Sequence, residues 1–280
     1  MDAVRLGPFV FALERFAALV GVALFLLAVW WLGRRLNDLA RRRLEAWSWR
    51  VLLVGFVAGR GMHVLAHWES FAGEPWRALA FWQGGFSAQA ALVAVGLVSA
   101  LELGRGRDIF RPVALSLALG LAGWSGVLML RGPLEAPPPP PQIFTAIDGR
   151  EISLIERDGR PLVLNLWATW CAPCRRELPM MAEVAAGHPG VDVVFANQRE
   201  PAQRVGLFFA SEGLQLDLVV LDDAGVLGRH YGAMGLPTTV FLDAEGRLRE
   251  KHVGEISREA FAAALQRLTT AAEPPTQGTP

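Results

Sequence analysis

Residues 162–179 read LVLNLWATWCAPCRRELP, and they indicate the fold of the second half of the chain. Residues 162–167 form a short apolar run that predicts a buried strand, and residues 174–186 predict a helix interrupted by Pro179. The only two cysteines of the chain, Cys171 and Cys174, stand at the junction. Two intervening residues let both sulfurs meet across the first helical turn, so the pair can close a disulfide.

A C-x-x-C pair between a strand and a helix is typical of a thioredoxin-like redox centre. Cys171 is predicted at the helix N-terminus, where the helix dipole and free amides stabilise a thiolate nucleophile. Cys174 lies one turn inward and is shielded until it attacks the mixed disulfide. The alternatives are two inert buried cysteines or half of a zinc site, and a second cysteine pair and a nearby histidine are missing. We therefore expect no metal and no cofactor beyond the Cys171–Cys174 disulfide.

Strands and helices alternate around this motif. The turn signals Asp148-Gly149 and Asp158-Gly159 predict a hairpin over residues 144–160. Further segments are predicted as strands at 191–196, 216–221 and 238–243, an edge strand at 248–253, and helices at 202–212 and 257–270. Ser257 is the expected N-cap of the last helix. This alternation predicts an α/β, thioredoxin-like fold with a mixed sheet flanked by helices.

Composition divides the chain near residue 142. The 280 residues carry 27 basic and 27 acidic side chains, with 52% hydrophobic residues and a mean hydropathy of +0.30. Such a chain is neither a strongly basic nucleic-acid binder nor an acidic disordered protein, so no nucleic-acid partner is expected. Five consecutive prolines at 137–141 predict an extended spacer. The predicted parts are a membrane domain at 1–130, a linker at 131–142, a redox domain at 143–270 and a flexible tail at 271–280.

The first part contains four apolar stretches, at 16–33, 51–67, 86–103 and 112–130. Each is close to the roughly 17–25 residues that cross a bilayer, which predicts an all-α, four-helix transmembrane domain. The alternative is four buried helices of a soluble bundle, but the stretches lack a polar face at helical period.

Arginines mark the sides of this membrane domain. They cluster after the first stretch and between the third and fourth, whereas the second loop has a single one, Arg77. Basic loops stay in the cytoplasm, so both termini and the redox domain are predicted in the periplasm, with the chain multi-pass in a bacterial inner membrane. The first stretch lacks a basic flank and a cleavage pattern, which indicates an anchor and not a removed signal peptide.

Arg60 lies near the middle of the second stretch, beside the G-x-x-x-G pattern of Gly55 and Gly59. Such a pattern lets helices approach closely. An arginine at this depth must face a cavity, a partner or a lipid headgroup. Two interpretations stay open: a structural arginine bonded to Gln89 or to backbone carbonyls, and a polar site for membrane lipids.

Residues 59–93, GRGMHVLAHWESFAGEPWRALAFWQGGFSAQAALV, resemble the prolipoprotein diacylglyceryl transferase family. Arg60 matches the family's arginine, and Trp82, Gly84 and Gly85 match its W-x-G-G; Gly7-Pro8 adds to the likeness. Gln89 stands where the family has a histidine, and the later arginine signature and further spans are missing. The resemblance implies descent without transferase activity. The alternative function is a lipid-modifying membrane protein with an accessory redox domain.

Residues 143–270 resemble the TlpA/ResA family of membrane-anchored thiol-disulfide oxidoreductases, on NLWATWCAPCRRELP and on YGAMGLPTTVFLD at 231–243. The resemblance implies a thioredoxin fold and a cis Pro237 beside the reactive sulfur, where its neighbours meet the substrate. The alternative is an ordinary trans proline opening an edge strand. The expected substrate-binding residues are Trp170, Pro173, Leu236 and Thr238.

The same resemblance gives Glu177 the role of moving a proton during exchange. The alternative is a solvated helix residue that pairs with Arg175 or Arg176. No histidine lies between the cysteines, where strong oxidants of the superfamily carry one, so the pair is expected to reduce protein disulfides. Because the predicted spans contain no cysteine, the chain needs a membrane thiol donor that faces the periplasm.

Overall fold

The computed structural model describes residues 3–7, 9–105, 108–132, 136–156 and 158–272. Packing divides the chain into two units, one of Leu13–Arg131 and one that joins Met1–Ala12 to Gly132–Pro280. Pro8, part of the predicted linker and nearly all of the predicted tail lie outside the described residues. The predicted domain boundaries stay predictions.

The first unit is helical, and most of each predicted apolar stretch lies in a helix, although the stretches at 51–67, 86–103 and 112–130 extend one or two residues beyond their helices. Its helices are α1 (Leu13–Gly33), α2 (Asp38–Ala66), α3 (Trp68–Ala72), α4 (Ala88–Gly104) and α5 (Phe110–Leu128). Helices α1, α2 and α5 are long and apolar enough to cross a membrane, whereas α4 is a shorter apolar helix of 17 residues. That length is at the lower end of what a bilayer requires, and the four-span topology stays a prediction.

Helix α2 begins at Asp38, well before the apolar stretch predicted at 51–67. The loop after the first apolar stretch is therefore shorter than predicted. The side chain of Asn37 caps the helix by accepting a hydrogen bond from the Ala40 amide at 2.9 Å. A capped start lets the helix form through polar sequence, because the cap satisfies one of the free amides of the first turn. Four of the predicted loop arginines therefore lie on α2: Arg41, Arg42, Arg43 and Arg50.

Small residues bring the helices of this unit together. A Cβ on Gly55 would lie 3.1 Å from the side chain of Val95, and one on Gly59 would lie 3.4 Å from the Cβ of Ala91. Both neighbours belong to α4, so the G-x-x-x-G face of α2 packs on α4 as its spacing predicts. Gly21 allows the same closeness between α1 and α5, where its Cβ would lie 3.0 Å from the Gly120 carbonyl oxygen.

The second unit has a seven-stranded mixed sheet. Its strands are β3 (Ile143–Ala146), β4 (Glu151–Ser153), β5 (Leu162–Trp167), β6 (Asp192–Gln198), β7 (Val219–Asp222), β8 (Thr238–Leu242) and β9 (Leu248–Val253). They are ordered β4-β3-β7-β6-β5-β8-β9, with β5, β6 and β7 parallel and the other pairs antiparallel. The predicted mixed sheet and the edge position of β9 are confirmed. The predicted hairpin is shorter than 144–160, because β3 and β4 pair around Asp148-Gly149 and the Asp158-Gly159 turn lies outside the pair.

Four helices accompany the sheet: α6 (Ala172–Ala186), α7 (Ala202–Glu212), α8 (Val226–His230) and α9 (Arg258–Ala272). Every residue of β5 is buried, because apolar clusters lie on both faces of the sheet. This is why β5 reads as a continuous apolar run and not as an alternating one. The arrangement is a thioredoxin-like fold, and its central strand leads directly to the cysteine pair.

The structure corrects several details of the predicted elements. Helix α6 continues through Pro179, because buried Leu178, Met181 and Val184 hold both sides of the proline in the core. The cap of α9 is confirmed, since the Ser257 hydroxyl accepts the Ala260 amide at 3.3 Å. Strand β7 begins later than predicted. The short α8 and an N-terminal hairpin of β1 (Ala3–Leu6) and β2 (Phe9–Ala12) were not predicted.

The proline run is part of the second unit. Residues 136–142 contain neither helix nor strand, but Pro139 and Pro140 are buried. A ring nitrogen of His230 lies 2.8 Å from the carbonyl oxygen of Pro138. This part of the predicted spacer therefore packs on the thioredoxin-like unit.

Candidate active site

The cysteine pair lies at the N-terminus of α6, which follows β5. Cys171 is the N-cap of α6, and its sulfur accepts a hydrogen bond from the Cys174 amide at 3.3 Å. The two sulfurs form a disulfide, with the Cα atoms 5.3 Å apart. Cys171 is 4% exposed and Cys174 is fully buried, which confirms the predicted helix-terminal and shielded positions. The structure thus holds the oxidised form of the pair.

The Leu236–Pro237 peptide bond is cis, as predicted, and the trans alternative is wrong. Strand β8 begins directly after this bond, and its first residue, Thr238, pairs with Leu166 near the end of β5. The cis-proline segment therefore lies at the same edge of the sheet as Cys171. The carbonyl of Pro237 accepts the Gly254 amide at 2.9 Å, which ties this segment to the end of β9.

Three of the four predicted substrate-binding residues reach the surface. Trp170 is 68% exposed beside the buried pair, and Pro173 and Leu236 are partly exposed. Within the described part of the chain, no residue hydrogen-bonds the backbone of Leu236. Thr238 differs, because its side chain is fully buried and its hydroxyl donates to the Gly235 carbonyl at 2.7 Å. An exposed indole and an open peptide group can contact an extended polypeptide.

Glu177 is buried in the core beneath the pair. It is 2% exposed, and it follows Cys174 by three residues on α6, which places both on one helix face. Its Oε1 accepts from the Asn165 amide nitrogen at 2.9 Å, and its Oε2 accepts from the Ile256 backbone amide at 3.0 Å. The solvated alternative is wrong.

The arginines that are alternative partners of Glu177 pair with other carboxylates. Arg175 bonds Glu212, and Arg176 bonds Glu255. Burial raises the pKa of Glu177 to about 8, and the charge of Glu255 acts in the same direction. The hydrogen bonds from Ile256 and Asn165 and the charge of Arg176 oppose this rise. Near neutral pH the carboxyl is therefore largely protonated, and it can exchange a proton within the physiological range.

A second buried carboxylate, Glu200, was missed by the sequence analysis. It is 3% exposed, and its two oxygens accept from the Thr169 amide at 2.7 Å and the Thr169 hydroxyl at 2.6 Å. Asn197 donates to the same carboxylate at 2.9 Å. Glu200 thus fixes the residue before Trp170. The signal that could have revealed Glu200 is the order of the strands, because β5 and β6 are parallel and their C-terminal ends lie side by side.

In the helical unit, Arg60 is held by backbone. Its guanidinium donates to the carbonyls of Ala78 at 2.9 Å, Gly84 at 2.7 Å and Arg77 at 2.8 Å. These carbonyls lie in the segment between α3 and α4, so the side chain shapes that segment. This geometry is the one expected of the structural alternative with carbonyl partners. Gln89 is exposed in the first turn of α4, and a lipid role for Arg60 or Gln89 stays a prediction.

Known proteins resemble the second unit. The Redoxin family model matches residues 139–268. Thiol-disulfide oxidoreductase ResA of Geobacillus thermodenitrificans is 34% identical over 122 residues, covering 43% of this chain and 70% of the relative. Thiol:disulfide interchange protein DsbE of Pseudomonas fluorescens is 30% identical over 174 residues, covering 58% and 96%. The crystal structure of StoA from Bacillus subtilis matches with a TM-score of 0.40 at 28% identity, covering 45% and 98%.

A redox disulfide at a helix N-terminus, in a fold of this type, defines a thioredoxin-like thiol-disulfide oxidoreductase. The likeness to its relatives is then specific enough to assign a family, because the chain matches most of their length. The chain belongs to the ResA/DsbE family of thiol-disulfide oxidoreductases. The resemblance of residues 59–93 to a diacylglyceryl transferase stays a prediction.

Proposed function

We propose that this protein is a membrane-anchored reductase of protein disulfides in the periplasm. The observation that carries the proposal is the position of Cys171, which caps α6 beside the exposed ring of Trp170. A helix-terminal sulfur is readily ionised, and an exposed aromatic ring next to it offers a docking surface to a polypeptide.

The reaction begins with the reduced pair. The Cys171 thiolate attacks one sulfur of a substrate disulfide, the substrate S–S bond breaks, and a mixed disulfide forms. Cys174 then loses its proton and attacks the Cys171 sulfur, and the second substrate sulfur leaves as a thiolate. The two substrate thiolates take up protons from water. Two electrons pass to the substrate, and the enzyme ends as the Cys171–Cys174 disulfide.

Glu177 is the proposed acceptor of the proton that Cys174 loses. It lies on the Cys174 face of α6, and burial raises its pKa to about 8. A carboxyl with that pKa accepts a proton at neutral pH and retains it while the pair is oxidised. The protonated Glu177 is therefore the product state of the transfer.

Ala172 and Pro173, the residues between the cysteines, indicate the direction of electron flow. A histidine between the cysteines stabilises the reduced thiolate in strong oxidants, and its absence favours a reducing pair. The pair must then be recharged, and residues 1–142 contain no cysteine that could carry electrons across the bilayer. A membrane thiol protein that faces the periplasm is the proposed donor.

The location rests on the helical unit. Three of its helices are long and apolar enough to span a bilayer, and arginines concentrate at the predicted cytoplasmic ends. Reporter fusions test this placement. A fusion after Leu130 should be active only as a periplasmic reporter, and one near Arg43 only as a cytoplasmic reporter. Cytoplasmic activity of a fusion at residue 142 would contradict the topology.

Trapping of mixed disulfides tests the reaction. Cys174→Ser removes the resolving sulfur, so covalent complexes with substrates should accumulate and migrate as larger bands on non-reducing gels. Cys171→Ser is the matched control and should give none, since the buried Cys174 cannot reach a substrate. Complexes that form through Cys174 in the control would reverse the assigned roles.

A further inference from the structure

Asn165 occupies the centre of the buried sheet, between the proton site and the cis-proline segment. Its side-chain amide nitrogen donates to Glu177 Oε1 at 2.9 Å and to the Thr239 hydroxyl oxygen at 3.1 Å. Asn165 and Thr239 are both fully buried. Thr239 lies two residues beyond cis Pro237, so one amide joins α6 to β8.

The two hydrogens of this amide are both used, but its oxygen is not. Within the described ranges, no donor reaches Asn165 Oδ1, although the atom is buried. A buried acceptor without a donor is unfavourable, and it calls for a physical reason. An asparagine amide has a donor side and an acceptor side of nearly the same shape. A half-turn about the side chain would therefore present the oxygen to Glu177 and Thr239 in place of the nitrogen.

The two orientations suit the two protonation states of Glu177. An ionised carboxylate requires a donor, which the nitrogen supplies; this is the orientation in the structure, where both oxygens of Glu177 accept hydrogen bonds. A protonated carboxyl carries an O–H that requires an acceptor, and the turned amide supplies the oxygen. The Thr239 hydroxyl fits both orientations, because it can accept or donate.

We propose that Asn165 is a positioning residue for Glu177, whose amide turns as the carboxyl gains or loses its proton. The inference rests on the proposed role of Glu177 in proton transfer. The inference adds that Glu177 and Thr239, which lies after cis Pro237, share Asn165 as a hydrogen-bond partner. An apolar residue or an aspartate at this position could not serve both states.

The other groups around Glu177 cannot take this part. Ile256 offers a backbone amide, which donates to Oε2 and has no acceptor side there. Arg176 and Glu255 are the charged residues nearest to Glu177 on α6 and after β9, and they bond each other. Cys174 lies on the same face of α6 and is disulfide-bonded in this state. Asn165 is thus the side chain that can change its role at Oε1.

Infrared titration of the oxidised full-length protein in detergent tests the inference. The carbonyl band of a protonated carboxyl reports Glu177 directly, and its loss in Glu177→Gln makes the assignment. Asn165→Leu removes the partner of both protonation states, but the hydrogen bond to the charged carboxylate is the stronger one, so the midpoint of the band should rise by about one pH unit. Thr239→Val should shift it less, because it removes a partner of the amide and not of the carboxylate. Thr238→Val is the matched control, since that hydroxyl bonds Gly235, and the midpoint should stay.

Midpoints of Asn165→Leu and Thr239→Val that coincide with wild type would overturn the inference. If Asn165→Leu does not fold, Thr239→Val against Thr238→Val decides alone. A band that survives in Glu177→Gln overturns both the inference and the proton role of Glu177. Failure to trap mixed disulfides with Cys174→Ser, while the midpoints move as stated, refutes the reductase proposal and leaves the role of Asn165 supported.

Discussion

The Glu177→Gln variant should have a more stable redox unit than the wild type, and the difference should grow as the pH rises. The carboxyl has an ordinary pKa of 4.5 when unfolded and about 8 when folded, so between these values the folded state binds the extra proton. Stability of the wild type must therefore be fully present below about pH 4.5 and fall as the pH rises through 8. Glutamine has nearly the same shape and carries no proton to lose.

The magnitude follows from the shift of the pKa. A shift of about 3.5 units at about 1.4 kcal/mol per unit gives roughly 5 kcal/mol at pH 8 and above. The difference in unfolding free energy between Glu177→Gln and wild type should grow from pH 4.5 to pH 8 and then level off.

Pulse proteolysis in urea, at pH steps from 4.5 to 9, measures this difference on the oxidised full-length protein in detergent. The intact disulfide keeps both cysteines out of the titration, and the histidines cancel because both proteins contain them. A constant offset between the two proteins would reflect altered hydrogen bonds and is subtracted at low pH. A difference that stays flat from pH 5 to pH 8 would refute the raised pKa of Glu177.

Two further substitutions test buried contacts. Glu200→Gln places an amide opposite the Thr169 donors, so the redox unit should lose about 1–3 kcal/mol of unfolding free energy in the same assay; Glu212→Gln, at an exposed ion pair, is the control and should change little. Arg60→Met leaves several carbonyls between α3 and α4 without their donor. It should lower the unfolding free energy of the helical unit by about 2–4 kcal/mol. Arg42→Met, at an exposed position, is the control and should not lower it.

The redox motif and its surroundings could be read from sequence because their signals are local. Residues 162–174 carry strand, turn, cysteine spacing and helix start in one short run. Cis Pro237 followed from a resemblance to a family whose motif lies in equally few residues. The edge strand Leu248–Val253 was predicted with its exact bounds, and Gly246 and Gly254 lie on either side of it.

The partners of the buried polar groups could not be read in this way. The Glu177–Ile256 contact joins residues 79 apart in sequence, and the Asn165–Thr239 contact joins residues 74 apart. No spacing rule on one strand or helix reaches that far, since such pairs depend on how the sheet is ordered. Helix α6 makes the same point, because Pro179 breaks a helix by local rules but is carried by its buried neighbours.

The raised pKa of Glu177 indicates that this carboxyl has a functional role and not only a structural one. A glutamine could accept the Ile256 hydrogen bond through its one oxygen, and it would carry no pH-dependent penalty, so stability at neutral and higher pH gives no reason for a carboxyl at this position. Burial raises its pKa to about 8, which makes the redox unit less stable at the pH where it works. A buried group that lowers stability yet can exchange a proton near neutral pH, on the helix face of Cys174, is best explained by the proton that thiol exchange must move.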